Sequence, residues 1–181
     1  MEPYVTHYEI MPIPPVDAQT RYFEAGRISI GVEYRLLNDA IAARHVEDDA
    51  PDMDGVTGLE DCGVSLHVLA THDDGERLEH LRFDCFDEEP HYHYVDWKGQ
   101  SNDMVRIDPI ADGDPLTWAL DRIRTRLPQM LRRAGAGEVT PHIDSTAIEA
   151  ILPRVSEAAY RARYEHDDQA TLRGALGEGN S

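Results

Sequence analysis

Leu81-Arg82-Phe83-Asp84-Cys85-Phe86-Asp87-Glu88-Glu89-Pro90-His91-Tyr92-His93-Tyr94-Val95 carries a two-residue period on both sides of an acidic break. Its first half alternates. Leu81, Phe83 and Cys85 fall on one face of an extended segment; His80, Arg82, Asp84 and Phe86 fall on the other. Asp87-Glu88-Glu89-Pro90 interrupts the run as a turn or bulge. The alternation then resumes with His91, His93 and Val95 on one side and Tyr92 and Tyr94 on the opposite side. Immediately upstream, Val64 to Thr71 is rich in strand formers, and His72-Asp73-Asp74-Gly75 carries the Asp-Gly signal of a tight turn. Two hairpins in tandem predict an antiparallel meander.

Further out the same period recurs. Ile28, Ile30, Val32, Tyr34 and Leu36 alternate with Arg27, Ser29, Gly31, Glu33 and Arg35, as in a half-buried strand. Met104 to Ile107 reads as a last strand. Before residue 27 only Val5 to Ile13 suggests a strand, and Pro12, Pro14 and Pro15 favour an extended arm over residues 1–26. Asn38 to His45 suggests a helical turn or two, and residues 47–61 read as a solvated acidic loop whose spacing fails the EF-hand pattern.

Downstream the period changes to that of helices. Asp114-Pro115 starts one, and Leu116, Ala119, Leu120, Ile123, Leu127, Met130 and Leu131 form its apolar stripe up to a C-terminal cap at Gly135. Thr146 and Glu149 read as a capping box for a second, striped by Ile148, Ile151, Leu152, Val155, Ala159 and Ala162. Pro128 and Pro153 are expected to kink or split these helices. The fold class is therefore α+β, an antiparallel β-meander covered by one or two C-terminal α-helices. The organisation reads as an arm over 1–26, an α+β domain over 27–135, a helical extension over 136–176 and a disordered tail over 177–181.

Composition narrows the functions available. The formal charge of −18 argues against nucleic acid bound through a basic surface, and the arginines near Arg122 and Arg133 read as a solvated helix face. No apolar run approaches the roughly 20 residues that span a membrane, and nothing marks a secretory signal, so a cytoplasmic protein is expected. Cys62 and Cys85 make no disulfide framework and no C-x-x-C pair.

His91 and His93 are the residues with chemistry at a meaningful spacing. On a strand they point the same way about 7 Å apart, close enough to share one divalent ion. Asp84 or Cys85 is the nearest candidate for a third ligand, with Asp96, His67, His72, His80 and His142 behind them; zinc or iron suits such a set. The cupin pattern is not met, because its glutamate is missing from Tyr94-Val95-Asp96-Trp97. Without metal, an imidazole oriented by Asp84, with Arg82 as anion stabiliser, has the parts for phosphodiester hydrolysis. Cys85 also reads as a small core residue.

The strand–turn–strand order bearing Arg82-Phe83-Asp84, then Pro90-His91 and His93, then an amphipathic helix, resembles the TumE-type toxins of bacterial toxin–antitoxin pairs over about residues 64–134. That resemblance implies a ribonuclease using Arg82, Asp84, His91 and His93. The string Phe83-Asp84-Cys85-Phe86 with Pro90-His91-Tyr92-His93-Tyr94 is also similar to uncharacterised bacterial proteins, which implies no function. The first expectation from the residues is an acidic accessory protein that binds a protein partner or a second copy of itself. Its surface would be Tyr92, Tyr94 and Trp97 with the helix stripe Ile148, Ile151, Leu152 and Val155. The alternatives are a metal-binding protein or enzyme built on His91 and His93, and the toxin-like ribonuclease.

Overall fold

The computed structural model describes residues 4–36 and 61–177, with side chains described as far as Asp167. The expected turn at 38–45, the acidic loop up to residue 60 and the tail from 178 lie outside the described residues. Seven strands form one antiparallel sheet: β1 (Val5–Tyr8), β2 (Thr20–Ala25), β3 (Ile28–Leu36), β4 (Cys62–Thr71), β5 (Arg77–Phe86), β6 (His91–Asp96) and β7 (Ser101–Arg106). Their spatial order is β1-β7-β6-β5-β4-β3-β2, so β2 to β7 run as a meander and β1 closes the far edge. Helices α1 (Pro115–Arg133) and α2 (Ser145–Gly177) follow, and the α+β expectation holds.

The core lies between one sheet face and the helices. Ile28, Ile30, Leu66, Val68, Leu81 and Phe83 are fully buried there, as the alternation predicts. The α1 stripe, Leu116 to Leu131, packs on β5 and β6, while Ile148, Ile151, Leu152, Val155 and Ala159 of α2 face β2, β3 and β4. Asp114 caps α1 by accepting the Thr117 N–H at 3.0 Å, and Gly135, with φ of 79°, reverses the chain after it.

Several expectations need correction. The cap of α2 is Asp144, which accepts the Ala147 N–H at 3.0 Å, not the Thr146/Glu149 box. A carboxylate just before the first turn reaches that donor directly and starts the helix earlier. Neither Pro128 nor Pro153 splits its helix. The carbonyls each proline leaves unpaired belong to Arg124 and Glu149, both exposed residues, so water can take the missing bonds. The arm read over residues 1–26 carries two strands, β1 on β7 and β2 on β3. Strand β3 is buried on both faces, since Ser29, Glu33 and Arg35 are buried as well as its apolar set. Among the described residues, no helix is long and apolar enough to cross a membrane.

Candidate metal centre on the polar face of the sheet

The sheet face turned away from the helices is buried and polar. Period-two alternation puts Ser29, Glu33 and Arg35 of β3, Ser65 and His67 of β4, Arg82 and Asp84 of β5, His91 and His93 of β6 and Asn102 of β7 on it. The register then brings them together. Asp84 stands opposite Ser65 on one side and His91 on the other, and Arg82 stands between His67 and His93.

A β-bulge adds Glu79 to this face. Val68 pairs with Leu81 while Leu69 pairs with Glu79, so His80 is the extra residue and the side chains before it change sides. The result is a continuous ion cluster. His67 meets Glu79 through Nδ1 and Glu33 through Nε2 (2.8 Å), so each ring nitrogen has a carboxylate partner. Arg35 donates to Glu33 at 3.0 Å and Arg82 to Glu79 at 2.5 Å. Two guanidinium groups and the His67 ring thus face Glu33, Glu79 and Asp84. Burial pushes the Glu79 carboxyl up, but Arg82 and His67 outweigh it and hold it at about 2. Glu33 is lowered in the same way, its burial overcome by His67 and Arg35.

The connection between β1 and β2 closes the cluster from above. These strands sit at opposite edges, so residues 9–19 must cross the whole face. Six strand spacings amount to about 29 Å. Eight extended residues reach about 25 Å, and the short turn Asp17–Gln19 supplies the remainder. Pro12, Pro14 and Pro15 hold that segment extended. Its carbonyls do the bonding: Ile10 accepts from Asn102 (2.8 Å), Ile13 from Arg82 and Pro14 from Arg35 (2.8 Å). Buried guanidinium donors are thereby satisfied by backbone rather than water.

Next to the ion cluster, Asp84, His91 and His93 converge. The Nε2 atoms of both histidines lie 3.2 Å from Asp84 Oδ2. The outer nitrogens are committed elsewhere. His91 Nδ1 contacts the Glu89 carbonyl at 2.7 Å, an atom that only accepts, so Nδ1 carries the proton. His93 Nδ1 contacts Asn102 Oδ1 at 2.9 Å, and the Asn102 amide is oriented by its donation to Ile10. Both imidazoles therefore turn Nε2 toward the same carboxylate oxygen. Ser65 holds the other oxygen, Oδ1, at 2.5 Å. Asp61 fixes the turn that carries Glu89, accepting from Glu88 N (3.1 Å) and Glu89 N (2.9 Å). Burial raises Asp84, but the two histidines and Arg82 hold it well below the usual carboxylate range. For the histidines burial acts downward: Asp84 overcomes it at His91, which is raised, and fails to at His93, which is lowered. The side chains are 4%, 15% and 12% exposed for Asp84, His91 and His93, which leaves a narrow approach past the imidazoles.

Other residues singled out from the sequence lie elsewhere. Cys85 is buried on the helix side with Leu81 and Phe83, because alternation turns it away from Asp84; it is not part of the cluster. Asp96 caps the β6–β7 turn, accepting from the Lys98 and Gly99 N–H groups. His67 belongs to the ion cluster, His72 and His80 pair through Nε2 at 2.8 Å, and His142 is exposed. Arg82 is buried against Glu79 and Ile13 rather than open to a substrate. Ile148, Ile151, Leu152 and Val155 are spent on the sheet, so that stripe is the packing face of α2 and is not open to a partner. Tyr92 and Tyr94 face the helix side beside Trp118, and Trp97 donates to the Glu79 carbonyl at 2.7 Å. Sequence reasoning missed Ser65, Asn102, Asp61 and Glu79; only Glu33 and Arg35 carried a signal, as the polar half of an alternating strand.

A family model described as a domain of unknown function (DUF7700) matches residues 22–159, a span that holds β3 to β7, α1 and all three converging side chains. No curated protein and no solved structure matches the chain, and nothing in the comparisons supports the resemblance to TumE-type toxins.

Proposed function

The chain belongs to this family of domains of unknown function, and from the geometry of its polar face we propose that it is a divalent-metal-binding domain whose ligands are Asp84, His91 and His93. One observation carries the reading: two Nε2 atoms and one carboxylate oxygen converge, with N···O separations of 3.2 Å. Ligands bonded to one ion at about 2.0–2.2 Å lie about 2.8–3.1 Å from each other at right angles and about 3.3–3.6 Å in a tetrahedral site. A charge-assisted N–H···O bond is shorter, about 2.7–2.9 Å. The spacing thus suits a shared cation better than a direct histidine–carboxylate bond.

The surroundings support the same reading. Metal-binding histidines donate their second ring nitrogen to a carbonyl or carboxamide, as His91 does to Glu89 and His93 to Asn102. Two imidazoles and one carboxylate suit zinc or iron and leave coordination positions for a water or a small oxygen ligand. Such an ion would supply Lewis acidity there. The residues of the chain would orient the ligands and, through the segment from Ile10 to Pro14, keep bulk water from the neighbouring ions.

The test is metal content by mass spectrometry on untagged protein purified without chelator and reconstituted with zinc, ferrous iron or manganese. The expected result is about one ion per chain in the wild type and none in the His91→Ala/His93→Ala variant, with unchanged circular dichroism. Wild-type protein that takes up no metal, or a variant that keeps it, would sink the proposal.

A further inference from the structure

We infer that the groove on the helix side of β6, lined by Tyr92, Tyr94, Trp118, Arg122, Arg126 and Arg133, is a binding site for a small planar aromatic anion. It lies on the opposite sheet face from the metal ligands and does not depend on them.

The groove exists because the helix layer is incomplete. Helix α1 packs chiefly on β5 and β6, so Tyr92 and Tyr94 form a floor beside the α1 wall. Its volume of about 390 Å³ falls in the range of small-molecule sites. The rings make a π-rich corner: Tyr92 lies 5.3 Å from Trp118 and 5.4 Å from Tyr94. Guanidinium groups border the same rings, Arg133 at 4.4 Å from the Tyr94 centroid and Arg122 at 5.5 Å from that of Trp118. Asp121 holds one end of Arg122 at 2.8 Å, yet Arg122 Nε is buried without a hydrogen-bond partner. Aromatic faces offer stacking and guanidinium groups offer charge-assisted bonds, and a ring carrying a negative group takes both.

Net charge sets the ligand's size. A chain of −18 repels an extended polyanion over most of its surface, so a nucleic acid or an acidic peptide reaching past the groove meets like charge. A compact anion does not. Nucleoside monophosphates and aryl carboxylates share this chemistry.

The experiment is calorimetric titration of the full chain with adenosine monophosphate against adenosine, and with benzoate against benzamide, at low salt. At least one anion should bind one to one, about tenfold or more tighter than its neutral counterpart, the factor for one charge-assisted hydrogen bond. Whichever anion binds identifies the source. The Arg126→Ala/Arg133→Ala variant, which alters only exposed side chains, should lose the same factor with an unchanged melting temperature, and Trp118→Leu should weaken both members of the binding pair. Absence of binding by both anions, equal binding of the neutral partners, or tighter binding of a poly-glutamate peptide would overturn the inference.

Discussion

Glu79 and Arg82 form a buried ion pair at 2.5 Å although they stand three residues apart on one strand, where regular alternation would put them on opposite faces. The extra residue at the bulge, His80, brings them to the same side. This one irregularity converts a carboxylate that would otherwise point into the hydrocarbon core into the centre of the polar face. Glu79→Gln should leave Arg82 and His67 buried against a neutral group and cost about 3–5 kcal/mol. The sign of its pH dependence follows from a folded value of about 2 against an ordinary 4.5. A depressed carboxyl contributes stability that is present above 4.5 and lost as pH falls toward 2. Urea midpoints of the wild type should drop across that window, and those of Glu79→Gln should be flatter there.

His80 itself predicts a second, higher window. Burial first, then the neighbouring His72, lowers it from 6.5 to about 4, so the fold holds it neutral. The unfolded chain binds the proton more readily, and stability should therefore fall as pH drops from about 6.5 to about 4, by about 3 kcal/mol in all. His80→Asn should remove that slope while leaving the one below pH 4.5. Identical denaturation profiles for wild type and variant between these limits would count against the assignment.

Much of this arrangement was legible from period two alone. The alternation in residues 81–95 put Asp84 on the face opposite Leu81, Phe83 and Cys85 and, beyond the turn, grouped His91 with His93. Register did the rest, setting Asp84 beside both histidines. What the sequence hid were non-local or irregular events. Nothing local in Arg77 to Phe86 marks the bulge at His80, and unbroken alternation would set Glu79 on the face of Leu81. The pairing of β1 with β7 joins Val5 to Val105, a separation that no local pattern reports. For the same reason the prolines at 12, 14 and 15 read as a free arm instead of a strap tied down at Ile10, Ile13 and Pro14. The second helix stripe was legible as apolar but not as occupied, since its partner is the distant sheet.

The strap yields a prediction about entropy. Pro14 and Pro15 restrict the unfolded chain, and an extended span has little slack to lose. Pro14→Gly/Pro15→Gly should lower stability by about 1–2 kcal/mol. Hydrogen exchange should quicken at Arg35 and Arg82, beneath the strap, with little change in the helices. Uniform loss of protection throughout the sheet would show that the strap is not a separate cover.

Asn102 links the strap to the proposed ion. Its Oδ1 accepts from His93 Nδ1 at 2.9 Å and its Nδ2 donates to the Ile10 carbonyl at 2.8 Å. If His93 is a ligand, losing that acceptor frees the ring to rotate and to change tautomer, and second-sphere changes of this kind cost about 10–100-fold in metal affinity. Asn102→Ala should show that loss in competition with a chromogenic chelator. Asn102→Asp separates the two bonds, because it keeps an acceptor for His93 while removing the donor to Ile10. Its metal affinity should stay near or above that of the wild type, whereas amide exchange at Arg35 and Arg82, beneath the strap, should quicken. Equal weakening by both substitutions would mean that Asn102 acts through the strap and not through His93, and would remove the histidine's orientation from the argument for the site.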